Sequence, residues 1–298
     1  MTTTLKTLLQ QTSALGSNLD DTVLSESERL WTGASRHVPD SLRCVEDVPY
    51  GPHARHRLDV FSSSTSQRVP VLMYVHGGGF TGGDKQKADS AFYQNIGSWA
   101  VGQGMVAVNM TYRLAPEAQW PAVVEDISEA MRWIYANIEK HGGDPGAVVI
   151  MGHSAGAAHA ADFVAQLAEK PELQKMTRGA VLLSGLYEIV SAGARPSVRA
   201  YYGDDAELQA VRSSQGRLAA SGIPLFLGVA QYEPPLFQEQ ALKLAMATLH
   251  QRGAMPMFHT AQDHNHFSEV YHFGSEDQRL SATVAAFIRQ VCSASAEA

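Results

Sequence analysis

The chain has 298 residues, 45% of them hydrophobic and 18% charged, which is enough apolar material for one sizeable core and excludes a disordered or fibrous chain. Its formal net charge of −7 gives no electrostatic reason to expect nucleic acid or an anionic membrane surface as a partner. An α/β fold of this length often forms one unit, so a single domain over residues 1–298 is expected.

The two cysteines, Cys44 and Cys292, lie near opposite ends and read as ordinary reduced residues. The first residues, M-T-T-T-L-K-T-L-L-Q-Q-T, hold one Lys and no apolar run of signal-peptide length. The longest apolar stretches elsewhere are strand-sized, short of the roughly 20 residues of a membrane span. These features predict a soluble cytoplasmic protein with no membrane partner.

Residues 1–40 are polar with scattered Leu, Val and Trp31, and predict one or two helices ahead of the main fold. Arg43–Tyr50 and His56–Phe61 read as the first strands, parted by the turn signal Gly51-Pro52. From Val69 onward, continuous apolar runs of strand length occur at Val71–Val75, Met105–Met110, Val148–Met151, Ala180–Leu183, Pro224–Val229 and Met255–His259. Such runs are expected where helices cover both faces of a sheet. Between them lie helical stretches at Val123–Lys140, Ala157–Ala168 and Leu236–Arg252; in the first, Val124, Ile127, Met131, Ile134, Tyr135 and Ile138 recur at helical spacing. The alternation predicts right-handed βαβ units in a mostly parallel sheet. Residues 187–221 are longer than a simple crossover. With the N-terminal helices they form either a lid over the active site or a surface excursion without a catalytic role.

Gly152-His153-Ser154-Ala155-Gly156 follows one predicted strand and precedes an Ala-rich helix. This is the G-x-S-x-G nucleophile elbow of the α/β-hydrolase fold, in which glycines permit a sharp strand-to-helix turn with a strained serine at its apex. His76-Gly77-Gly78-Gly79-Phe80 follows an earlier strand, 154 − 76 = 78 residues upstream of Ser154. An acyl-transfer enzyme needs backbone amides where a carbonyl oxygen turns anionic, and Gly77, Gly78 and Ala155 are the candidate donors of an oxyanion hole. A phosphate-binding loop is the competing reading, but neither G-K-[ST] nor G-x-G-x-x-G opens a helix here.

In this fold the acid and then the histidine follow the serine. Glu233, after the strand Pro224–Val229, is the preferred acid, with Glu239, Asp204 and Asp205 as rivals. The segment Thr260–Ser268 reads as a loop with two histidines; His266 is preferred as base and His264 is its rival. The density of His259, His264, His266 and His272 admits a zinc reading. A catalytic zinc would leave the elbow and glycine loop superfluous, so neither metal nor cofactor is expected. Phe80, Trp120, Tyr201, Tyr202 and Phe267 are candidates to line an apolar substrate pocket, or else simply to pack the core.

Taken together, H-G-G-G-F at 76–80, G-H-S-A-G at 152–156 and Tyr112-Arg113-Leu114-Ala115-Pro116-Glu117 resemble the bacterial carboxylesterases of the hormone-sensitive-lipase-like family. The resemblance implies an eight-stranded, mostly parallel sheet with a small helical cap and cofactor-free hydrolysis of short-chain esters, frequently by dimers. It also implies that the Y-R-L-A-P-E segment braces the oxyanion loop. Two departures stand out: the acid is Glu233-Pro234 where the family uses Asp-Pro, and the histidine segment, D-H-N-H-F-S, is closer to that of the arylformamidases. The expected activity is therefore cleavage of short-chain or aryl esters through Ser154, His266 and Glu233, with a small-molecule ester or amide as partner. Arylformamidase activity is the alternative. A non-catalytic binding protein, as the plant gibberellin receptors are in this superfamily, would ordinarily lack one of the three residues.

Overall fold

The computed structural model describes residues 4–34, 36–87 and 90–293. Residues 1–3 and 35 of the predicted N-terminal helical stretch, and 294–298 of the expected single domain, lie outside the described residues.

Eight strands form one sheet: β1 (Leu42–Pro49), β2 (Arg57–Ser63), β3 (Val69–Val75), β4 (Val106–Met110), β5 (Gly143–His153), β6 (Thr177–Leu183), β7 (Leu225–Tyr232) and β8 (Met257–Asn265). Their spatial order is β1-β2-β4-β3-β5-β6-β7-β8. β2 runs antiparallel to both its neighbours, and every later pair is parallel. Twelve α-helices accompany them among the described residues: α1 (Leu5–Ala14), α2 (Asp21–Thr32), α3 (Gln94–Gly102), α4 (Ala122–Asn137), α5 (Ala155–Val164), α6 (Pro171–Met176), α7 (Pro196–Tyr202), α8 (Ala206–Arg212), α9 (Gln215–Ala220), α10 (Pro235–Arg252), α11 (Ser268–Tyr271) and α12 (Arg279–Ser293). None is long and apolar enough to cross a membrane.

The two-residue period of a strand divides the core in two. Val71, Met73, Val75, Val148 and Ile150 face a layer that includes Val123, Ile127 and Ile134 of α4 and Ala157 and Phe163 of α5. Leu72, Tyr74, Val149 and Met151 face the opposite layer, with Ile96 and Trp99 of α3 and Leu280, Val284 and Ile288 of α12. Because both faces are covered, the central strands carry apolar residues at every position, and their runs read continuously in the sequence.

The strand register fixes the site. Val75 pairs with Gly152, His153 with Leu183, Leu183 with Gly228, and Tyr232 with Asn265. The loops after β3, β5, β6, β7 and β8 therefore emerge side by side at the carboxyl edge of the sheet, where ligands bind in open α/β folds.

Two readings of the sequence need correction. The segment from Thr260, expected as a loop, continues β8 to Asn265. Its polar Thr, Gln, Asp and His residues concealed a strand whose edge is covered by α1, with Ser13 donating to the Asp263 carbonyl. The strand before Ser154 also extends from Gly143 to His153, well beyond its apolar core. The N-terminal stretch forms two helices docked onto this end of the sheet. Trp31 of α2 is fully buried against His264 and donates its indole N–H to Thr12 of α1 at 3.0 Å.

Candidate active site

Ser154 stands between the last residue of β5 and the first of α5, with φ 55° and ψ −123°. A non-glycine residue in that region costs about 1–3 kcal/mol and persists only where its surroundings impose it. Here its amide donates to the Leu183 carbonyl of β6 at 2.9 Å, while its own carbonyl accepts from Ala157 and Ala158. The flanking glycines are sterically obligatory. A Cβ on Gly152 would lie 2.3 Å from the Gly156 carbonyl oxygen, and one on Gly156 would lie 2.1 Å from the Val75 carbonyl oxygen. The turn closes against its own backbone and against β3, so no side chain fits at either position.

The glycine loop lies against this turn: a Cβ on Gly77 would sit 3.2 Å from the His153 carbonyl and 3.3 Å from Ser154 Cβ. Gly78 adopts φ 136° and its carbonyl accepts from Gly82, whose own carbonyl a Cβ on Gly78 would strike at 2.1 Å. Tyr112 of the Y-R-L-A-P-E segment donates its hydroxyl to the His76 carbonyl at 2.7 Å and stacks on the His76 ring at 4.4 Å. Ala115 N–H donates to the Phe80 carbonyl at 3.0 Å. Burial pushes the His76 imidazole down to about 4, so the ring is neutral, and its Nδ1–H donates to the Gly77 carbonyl. Farther along the loop, buried Lys85 is tied to Asp47 at 2.7 Å and Asp59 at 3.0 Å. Ala155 heads α5, where its amide has no acceptor within the helix.

His266 follows β8 directly. Its Nε2 lies 2.9 Å from Ser154 Oγ and its Nδ1 lies 2.9 Å from Glu233 Oε2. A carboxylate only accepts, so Nδ1 carries the proton and Nε2 is free to accept from the serine. Burial, and then the positive charge of Arg195, hold the imidazole below the ordinary histidine range, which keeps it neutral. Glu233 follows β7 and is 3% exposed; the Ala230 amide donates to its Oε1 at 3.1 Å. Burial pushes its carboxyl up, against the Ser184 hydroxyl and the Ala230 amide, which favour the charged form.

The rivals lie elsewhere. His264 is bound by Ser268 through Nδ1 and by Asp277 through Nε2, on the Trp31 side of β8. Glu239, Asp204 and Asp205 are exposed, and Asp205 caps α8.

Three buried polar side chains stand behind the row, none of them a candidate site residue in the sequence. His153 Nε2 donates to the His266 carbonyl at 2.8 Å and so fixes the backbone that carries the imidazole. Ser184, with φ 48°, donates to Glu269 Oε2 at 2.5 Å. Glu269 lies on α11 and is fully buried. Burial, with the charge of Glu233 beside it, drives its carboxyl well above the usual range, so it is the protonated member of this carboxyl pair. The only sequence sign of His153 is its place inside the elbow motif; Ser184 and Glu269 meet only in the folded chain.

The profile described as BD-FAE matches residues 58–183. Esterase LipQ of Mycobacterium tuberculosis is 32% identical over 171 residues, which cover 52% of this chain and 39% of that protein. Kynurenine formamidase of Danio rerio is 26% identical over 272 residues, covering 88% of this chain and 87% of that protein. The chain spans less than half the length of the mycobacterial esterases LipQ and LipI that it matches. Among solved structures, esterase B of Lactobacillus rhamnosis superposes with a TM-score of 0.75 at 17% identity, covering 97% of this chain and 98% of that one. An esterase of Pyrobaculum calidifontis superposes at 0.69 and 23% identity, covering 96% and 97%. This chain has the α/β-hydrolase fold. In sequence it resembles the hormone-sensitive-lipase-like carboxylesterases and, along most of its length, the kynurenine formamidases.

In this hydrolase fold the serine opens into a cavity of about 660 Å³. Its walls include Phe80, Phe267 and Phe237, with Leu19 and Leu24 from the N-terminal segment and Ser197 and Val198 from α7. Helix α2, with Leu19 ahead of it, and Arg195, Ser197 and Val198 of the 187–221 segment thus line the cavity, whereas α9 packs against α10. Tyr201 and Tyr202, expected as pocket residues, are corrected: both are fully buried outside the cavity. Tyr201 stacks behind Phe80 at 5.5 Å, and the Tyr202 hydroxyl donates to the buried Asp162 at 2.7 Å. They sit on the inner face of α7, which the core claims. Trp120 is likewise absent from the walls.

Proposed function

We propose that the chain is a serine hydrolase that cleaves carboxylic esters through an acyl-enzyme. The observation that carries the reading is the unbroken row Ser154 Oγ, His266, Glu233, with 2.9 Å at each junction, opening into a cavity. Ser154 attacks the acyl carbonyl while His266 Nε2 takes its proton, and Glu233 stabilises the imidazolium. The amides of Gly77, Gly78 and Ala155 receive the oxyanion, each worth on the order of 3 kcal/mol in the transition state. His266 returns the proton to the leaving oxygen; water, activated the same way, then releases the acid. The N-terminal helices and the start of the 187–221 segment act as the cap.

Formamide cleavage is the second reading, supported by a kynurenine formamidase match that spans most of both chains. Turnover of p-nitrophenyl acyl esters against N-formyl arylamines separates the two. Ester turnover that Ser154→Ala abolishes in a folded protein is the expected result. Undiminished turnover in that variant would overturn the assignment of the nucleophile.

A further inference from the structure

Resting on the hydrolase reading, we infer that Arg195 is a specificity residue, and that the preferred substrate carries a carboxylate that this guanidinium receives. Of the other charges around the cavity, those on Lys87, Glu28 and Asp84 are paired, and the remaining one, Asp21, is negative. Lys87 and Glu28 neutralise each other at 2.5 Å, Asp84 meets Arg55 at 3.4 Å, and Asp21 stands exposed in the first turn of α2. Arg195 is half-buried on the cavity wall, and among the described residues no carboxylate lies within ion-pair distance and its guanidinium makes no hydrogen bond. The guanidinium sits over the Phe237 ring at 5.5 Å, and that ring lies 4.6 Å from the His266 ring. Guanidinium, phenyl and imidazole are thus held in sequence.

That placement has a cost for the chemistry already described. During attack His266 becomes an imidazolium, and an uncompensated cation nearby opposes that charge; after burial, Arg195 is the influence that most favours neutral His266. An anion bound on Arg195 removes the opposition at the moment of reaction. A substrate carboxylate would do this with a bidentate pair, the geometry a planar guanidinium suits best. The aromatic and aliphatic walls around it suit an apolar framework bearing that one charge. The carboxylate can be borne on the acyl part or on the leaving group.

Two matched pairs test this: mono-4-nitrophenyl adipate against its carboxamide for the acyl side, and 3-butyryloxybenzoate against 3-butyryloxybenzamide for the leaving-group side. Expected is a carboxylate-to-carboxamide ratio of kcat/KM above one in at least one pair. It should fall at least about 10-fold in Arg195→Gln and recover in part in Arg195→Lys. Ratios at or below one in both pairs, or a ratio unmoved by Arg195→Gln, overturn the inference. Thermal protection by 3-hydroxybenzoate against 3-hydroxybenzamide, and by adipate against adipamide, is read beside turnover. If no ester is turned over, carboxylate-selective protection lost in Arg195→Gln upholds the anion site while sinking the ester-cleavage reading; protection without that selectivity sinks the anion site.

Discussion

On one side of Ser154 the site is made of backbone, and on the other of buried side chains. In the elbow and the glycine loop the backbone packs so closely that a Cβ at 78, 152 or 156 would lie 2.1–2.3 Å from a neighbouring carbonyl oxygen, which dictates glycine at those positions. The opposite wall, Glu233, Ser184, Glu269 and His153, is a network of polar groups excluded from water. Steric demands name their residues almost uniquely, whereas a buried polar network can be built from many combinations. The first kind of wall tolerates no added atom; the second tolerates substitutions that preserve charge and hydrogen bonding.

The largest expected effect lies where the two walls meet. Ser154→Ala should lower kcat on the order of 10⁴–10⁶-fold with the melting temperature little changed, read by steady-state kinetics beside a thermal melt. Next come the two glutamates, which share one environment and differ in charge state. Glu233→Gln removes the anion that stabilises imidazolium and should lower kcat by up to about 10⁴-fold. Glu269 already carries a proton, so Glu269→Gln should change kcat at pH 7 far less, by a few-fold at most; equal losses from the two would break the contrast. On the backbone wall, Gly78→Ala forces a Cβ into the Gly82 carbonyl and displaces an amide proposed to receive the oxyanion, for an expected loss of about 10²–10³-fold.

The smallest effect is a slope. The folded-state pKa of Glu269 lies above that of the unfolded chain, so between the two the folded protein binds more protons. Its contribution to stability is complete below the unfolded carboxyl range and is lost as pH rises toward the folded value. Melting temperature followed from about pH 5 to pH 9 should therefore fall less steeply in Glu269→Gln than in the parent.

The same contrast governs what the sequence disclosed. Both glycine motifs were legible with their order along the chain, because no other residue type serves at those positions. The central strands were legible because they are apolar on both faces. In the sequence β8 reads only as far as His259, because its second half is polar and covered by α1. Tyr201 and Tyr202 read as pocket residues in the sequence because aromatic composition does not say which face of a short helix is buried. The meeting of Ser184 with Glu269 across 85 positions has no local signature, and it takes the register of β6 against β7 and the placement of α11 to bring them together.

The central claim is that Ser154 is activated by the row behind it, and labelling by a fluorophosphonate tests it most directly. The reagent should add once per chain, on the peptide that holds Ser154, and addition should be suppressed by His266→Ala and absent in Ser154→Ala. A folded parent protein that stays unlabelled, or one labelled on another serine, would contradict it.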